Sequence, residues 1–381
     1  MARVALSAGI AIAGTTAAHA AVWTGSAQGG VHAGYDDNVR LSVNALPATV
    51  YDSADLGAHL ALQNETVAWS LDPRISVERY RNYHELDRTD TFINTAIQQQ
   101  SETSQSSLAV GWTRDTTLTS ELGLTGLAEV NKHHEATSVT LAHVAQWTER
   151  FDTQSQVFIT GNRYMDAGNT GLVNYNYGAA DIAFGYALNE RSRLSLDGSI
   201  GRLDVPGFSL YGKTNQSIML SYSVSFAERW QGKFSAGPSQ VRSEFSRESG
   251  TVYEFSLNRK SETSTLQLRL SRDITPTGQG VLTRRKQITL SATRSITQRL
   301  TATLNGSQVQ NDSLLLFNSF NFYGVRYSDV NASLSWAWTP TCVVSLSAGH
   351  TEQRLDNSEA KARRNYVSLG VSWNGLTHTL H

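Results

Sequence analysis

Residues 365–373 read NYVSLGVSW. Val367, Leu369, Val371 and Trp373 alternate with Tyr366, Ser368, Gly370 and Ser372. A period of two marks a strand with two unlike faces. In a soluble sandwich or solenoid the apolar face would pack on a second sheet. In an outer-membrane barrel it meets lipid, and the small polar face looks into a lumen. The rest of the chain decides between these two solvents.

The same alternation recurs almost without pause. Ile218, Leu220, Tyr222, Val224 and Phe226 form one such set; Val330, Ala332, Leu334, Trp336 and Trp338 form another. Candidate strands run from 30–44 through 105–115, 230–244, 263–275 and 280–296 to 363–374, and no stretch keeps a helical period. The connections take turns. TERF (148–151), NERS (189–192), AERW (227–230), RKSE (259–262), TQRL (297–300) and TPTC (339–342) are tight, whereas 115–135, 165–174, 205–212, 312–325 and 354–362 are longer and more polar. Short turns at one end and long loops at the other are the asymmetry of outer-membrane barrels. Trp147, Tyr186, Phe226, Trp230, Trp338 and Trp373 all lie near tight turns or the C-terminal strand, where a girdle of amphipathic rings would sit at a lipid–water boundary. The expected fold is all-β: a transmembrane antiparallel up-and-down barrel of about 18 strands, or 16 if the first strand and the 115–135 region fail. Both termini then fall with the tight turns, on the periplasmic side. Pro238 inside 230–244 predicts a bulge or kink.

Composition agrees. The 381 residues carry 32 basic and 33 acidic side chains, a balance that leaves no nucleic-acid footprint. A mean hydropathy of −0.31 is too polar for a helical membrane bundle. Residues 1–20 differ: Arg3, the apolar Val4–Ala13 run and Ala18-His19-Ala20 read as a secretory signal peptide, leaving 21–381 as one barrel domain. Cys342 is the only cysteine, so stability must come from something other than disulfides; closure of every backbone hydrogen bond in a barrel supplies it.

Parity places Asp72, Arg74, Glu78, Asp181, Arg193, Asp197, Lys233, Glu254, Arg269 and Arg299 in the lumen. Both signs occur, which suits ions paired across a wet wall, or a constriction for hydrated solutes that are uncharged or of mixed charge. An anionic polymer would call for an Arg/Lys excess. No catalytic set is legible: His59 has no readable partner among many serines, and no nucleophile elbow occurs. The adjacent His133 and His134 project in different directions, so no metal site is expected, and no cofactor. Residues 311–324 are unusually apolar for an external loop. Leu314, Leu315, Leu316, Phe317, Phe320, Phe322 and Tyr323 could extend the strands, fold inward as a plug, or stack on sugar rings.

YDDNVRLS (35–42), TRDTTLTSELG (113–123) and SRDITPTGQG (271–280) resemble outer-membrane β-barrel, porin-like proteins associated with exopolysaccharide and exosortase (PEP-CTERM) systems. The resemblance runs through scattered motifs over most of the mature chain. It implies a Gram-negative outer membrane and a channel, or channel component, near surface-polysaccharide export. No ligand residues carry over. The partners implied are outer-membrane lipid and lipopolysaccharide, the barrel-assembly machinery, and polysaccharide export proteins with a glycan. A non-conducting scaffold and a general diffusion porin are the alternatives.

Overall fold

The structure, a computed structural model, describes residues 21–45, 47–125, 131–168, 170–207, 213–243, 247–313, 325–355 and 360–380. The predicted signal peptide and residues 314–323 of the apolar loop lie outside them.

Strands β1 (Val22–Asp36), β2 (Thr49–Gln63), β3 (Val67–Tyr80), β4 (Arg88–Gln100) and β5 (Ser104–Thr116) lead into a short helix, α1 (Thr117–Thr125). β6 (His133–Gln146), β7 (Phe151–Tyr164), β8 (Tyr175–Asn189), β9 (Ser192–Asp204), β10 (Lys213–Ala227), β11 (Trp230–Arg242) and β12 (Arg247–Lys260) follow. β13 (Ser264–Pro276), β14 (Leu282–Ser295), β15 (Leu300–Ser313), β16 (Val325–Ala337), β17 (Cys342–Leu355) and β18 (Lys361–Asn374) complete the ring. Each strand pairs antiparallel with its sequence neighbour, and β1 pairs with both β2 and β18. A last short strand, β19 (His378–Leu380), continues β18 along β1. The fold is a closed antiparallel barrel of eighteen strands, as the alternation predicts. Strands about 4.8 Å apart and tilted by about 40° give a backbone diameter on the order of 35 Å.

The short turns share a local cause. Asn64, Ser101, Thr148, Ser261, Thr297 and Thr339 each accept, through the side-chain oxygen, the backbone N–H three residues on, at 2.6–3.1 Å. A side chain that closes its own turn spares the chain a longer loop. The expected strands 55–64, 66–81, 90–101 and 105–115 also leave tight breaks near 65 and 102–104, and the turns there carry this signature too; Ser101–Ser104 and Ser261–Ser264 are the same tetrapeptide, SETS.

Three expectations need correction. The first strand is β1, not 30–44, because Asp36 accepts the Asn38 N–H at 2.9 Å and turns the chain out of the ladder. The 115–135 region contains α1. No bulge marks Pro238: Ser217–Ser239 and Leu220–Ala236 keep one register, and only the pairs between them are missing. A proline that brings no N–H interrupts the ladder there without shifting it. The shift lies instead beside the short turn, between Ser225 and Ala227.

The outward set that the register aligns with Val367, Leu369 and Val371 is largely apolar, and much of it is exposed, including Val31, Leu56, Leu196, Ile218, Phe234 and Leu334. Trp147, Tyr186, Phe226, Trp338 and Trp373 are exposed at the short-turn end, and Trp230 lies beside them against Phe226, with ring centroids 6.1 Å apart. Trp23 and Trp69 extend this belt, with ring centroids 5.7 Å apart. Arg299, expected in the lumen, sits exposed on the short turn before β15. Its parity points inward, but the strand has ended before it.

Candidate functional site: the polar lumen and its narrowed mouth

Two-residue periodicity puts Asp72, Arg74, Glu78, Asp181, Arg193, Asp197, Lys233, Glu254 and Arg269 on the inward face. Most have a partner on the wall. His59 Nδ1 lies 2.5 Å from Asp72, Arg269 donates to Glu254 at 2.8 Å, and Arg193 pairs with Asp152. Ser195 donates to Asp197 at 3.0 Å, and Ser221 also donates to it. Arg74 lies over the Phe92 ring, 4.4 Å from its centroid. Half-solvated pairs of this kind contribute little to stability; what they change is the lining, which presents few unpaired charges. Glu254, Asn258, Gln267, Arg269, Asn305 and Asp329 line a recess of about 610 Å³ in the wall.

At the long-loop end the lumen narrows. Here the buried apolar residues form two clusters, as they must where the barrel wall itself has no core. The first joins Val39 and Leu41 of the β1–β2 loop to Tyr80, Leu86, Leu118, Tyr327 and Ala362. The second joins Tyr164, Tyr175, Tyr177, Leu203, Val205, Val241 and Leu282. Both draw on strands several positions apart in the ring, so the loops that complete them turn inward across the mouth.

Two elements carry most of this. α1 lies inside the rim: Thr119 donates to Asp90 of β4 at 2.8 Å, and Tyr164 of β7 donates to Glu121. Leu118 packs in the first cluster, so one helical turn links both clusters. The second element is the tip between β13 and β14, residues 277–281. Thr277 and Val281 close it by a 3.0 Å backbone bond, and Val281 and Leu282 are fully buried. Val173 N–H, in the β7–β8 loop, donates to Gly278 at 2.8 Å. A Cβ on Gly280 would lie 3.0 Å from Val205, which follows β9. β13 stands four positions from β9, about 20 Å around the wall at the usual strand spacing. Only a tip that leans across the opening can touch both. The parting of β12 from β13 fits this: their pairing stops at Tyr253–Arg272, although both strands run on.

Ion pairs surround these elements. Arg364 donates to the fully buried Asp36 at 2.6–2.7 Å across the β1–β18 seam. Glu78 accepts from Arg88 at 2.8 Å and from Tyr80. His134 is held on both ring nitrogens, by Asp115 at 2.8 Å and Asn162 at 3.1 Å. A nucleophile would need one of those positions, so the Asp115–His134 pair is structural. No group of three His, Cys, Asp or Glu could hold a metal among the described residues. The sequence expectation missed α1, the 277–281 tip and His134 as mouth residues. Residues 35–42, 113–123 and 271–280 lie where the chain turns inward.

Tyr164→Phe should loosen the mouth without unfolding the barrel. It removes one donor from a buried carboxylate, a change that costs about 1–3 kcal/mol. Faster limited proteolysis within 117–132, with heat-modifiability on gels unchanged, is the expected result.

In fold the chain is similar to OccK2 (OpdF) of Pseudomonas aeruginosa, solved in complex with glucuronate: 13% identity, TM-score 0.50, covering 93% of this chain and 98% of that one. It is also similar to OpdQ (9% identity, TM-score 0.49, covering 94% and 98%). OprD of the same organism gives 12% identity and a TM-score of 0.46, covering 93% and 95%. No family model and no curated protein matches the sequence. The fold is that of a porin-like outer-membrane β-barrel. At such identities the likeness extends to the fold alone.

Proposed function

We propose that the protein is a passive channel of a Gram-negative outer membrane, with termini and short turns in the periplasm. In this reading it passes hydrated polar solutes through a mouth narrowed by α1 and the β13–β14 tip. The observation that carries the reading is a polar, largely ion-paired lining inside a ring wide enough for water. Balanced pairs such as Glu254–Arg269 and Asp152–Arg193 favour uncharged or mixed-charge solutes over a strongly anionic polymer. Export of a surface polysaccharide is the narrower form of this reading, supported by the resemblance at 35–42, 113–123 and 271–280. A non-conducting scaffold is the competing one, favoured by the two packed clusters across the mouth.

Purified barrel in planar bilayers should show discrete conductance steps with weak selectivity between cations and anions. Silence of the wild type together with variants that open the mouth would favour the scaffold. Orientation has its own readout. In a Cys342→Ser background, Glu149→Cys should resist a membrane-impermeant thiol reagent on intact cells; ready labelling would reverse the barrel.

A further inference from the structure

The outer face carries a feature that a channel does not require. At the long-loop rim of β16–β18, Arg326 lies directly opposite Arg354, and Arg354 directly opposite Lys361. Arg363 stands two residues below Lys361 on the same face, and all four are exposed. Among the described residues, Glu352 offsets Lys361 and Arg363, accepting from them at 2.9 Å and 3.1 Å. Arg326 and Arg354 have no carboxylate partner among the described residues. Like charges directly opposite on neighbouring strands repel, and the ladder holds them about 5 Å apart.

On β2–β3 and β5–β7 the same rim alternates the signs. Asp52 faces Arg79, and Glu135 stands between Arg114 and Arg163. The like-charge opposition recurs on β9–β12, where Arg242 faces Arg247 and Arg202 lies beyond Thr214 on the other side, and on β13–β14, where Arg272 faces Lys286, which Asp312 offsets at 3.0 Å.

Below the β16–β18 cations, past a polar row of Ser328, His350 and Asn365, the outward residues turn apolar: Val330 and Leu334 on β16, Leu346 on β17, Val367 and Leu369 on β18. A ligand that satisfies both levels has fixed anionic groups spaced over about 10 Å and several acyl chains below them. We infer that Arg326, Arg354 and Lys361 form a docking site for the phosphorylated diglucosamine headgroup of lipopolysaccharide, with its chains along the apolar strip. The inference rests on the outer-membrane placement proposed above, because only that membrane's outer leaflet offers such a lipid at the long-loop end. Arginine suits the role, since its fork binds phosphate oxygens in pairs.

Native mass spectrometry of the detergent-solubilised barrel tests it, with bisphosphorylated lipid A and phosphatidylglycerol as probes. Lipid A should bind the wild type, and Arg326→Gln/Arg354→Gln should weaken it about tenfold. Arg114→Gln, which sits in the charge-balanced part of the rim, should bind as the wild type does. Equal binding by wild type and double variant overturns the site. Equal binding of phosphatidylglycerol and lipid A to the wild type overturns the assignment to a phosphorylated glycolipid. Heat-modifiability of each variant separates lost binding from lost folding. Conductance of the same preparations reports on the channel proposal independently.

Discussion

Gly280→Ala should raise single-channel conductance several-fold. The residue holds φ at +70°, where a side chain strains the backbone by about 1–2 kcal/mol. The larger effect is steric. The new Cβ would lie 2.5 Å from Val173 Cγ2 and 3.0 Å from Val205 Cγ2, both in the packed seat of the tip. Neither valine can swing away as a long flexible chain would, because each belongs to the cluster around Leu203 and Leu282. The cheapest relief is for residues 277–281 to leave the mouth. β13 and β14 stay paired from Ser264 to Leu282, so the wall survives the tip's release. Gly171→Ala is the matched control: its φ is +78°, with open space where a Cβ would go. It carries the backbone strain without the clash and should conduct as the wild type does. Equal conductance of Gly280→Ala, Gly171→Ala and wild type would mean that the tip does not limit the path.

Much of the wall was legible because its rule is local. Alternation fixes both the strand and its facing, and one solvent on each side leaves a single consistent register. That is why Val367, Leu369 and Val371 are readable without knowing any neighbour. The mouth follows no such rule. Leu41, Leu118 and Leu282 are buried by contacts between loops far apart in sequence, and nothing near them in the chain records a partner. The expected first strand failed for a related reason: Val39, Leu41 and Val43 alternate like strand residues, yet Asn38 bonds to Ser42 and Arg363 and pulls the segment off the ladder. α1 is nine residues long, too short for a periodic signal to stand out. The outer cation rows need the register itself, since Arg326 and Arg354 are opposed only once the β16–β17 pairing is known.

Leu369→Arg should abolish or severely slow assembly of the barrel. Leu369 points outward with 57% of its surface exposed, in register with Leu346 on one side and Ala33 on the other. Four residues separate it from the aromatic belt at Trp373, and six from the cations at Arg363, so it lies near the middle of the apolar band. An arginine at that depth costs about 2–4 kcal/mol in an outer-membrane barrel. That is a large share of the about 5–15 kcal/mol by which a folded domain exceeds its unfolded chain. The position adds to the effect, because β18 makes the seam with β1 and is the last strand needed to close the ring. Ser368→Arg is the informative comparison. Ser368 sits on the opposite face, in register with Gly34 and Ser347, where a guanidinium meets water in the lumen. Its cost is the lost side-chain hydrogen bond to Tyr51 and repacking against that ring, which lies over Gly34. The expected gel shows a heat-modifiable band for Ser368→Arg and little or none for Leu369→Arg. Equal loss in both would mean that the two faces of β18 meet the same surroundings, and with that the lipid-facing assignment of NYVSLGVSW would fall.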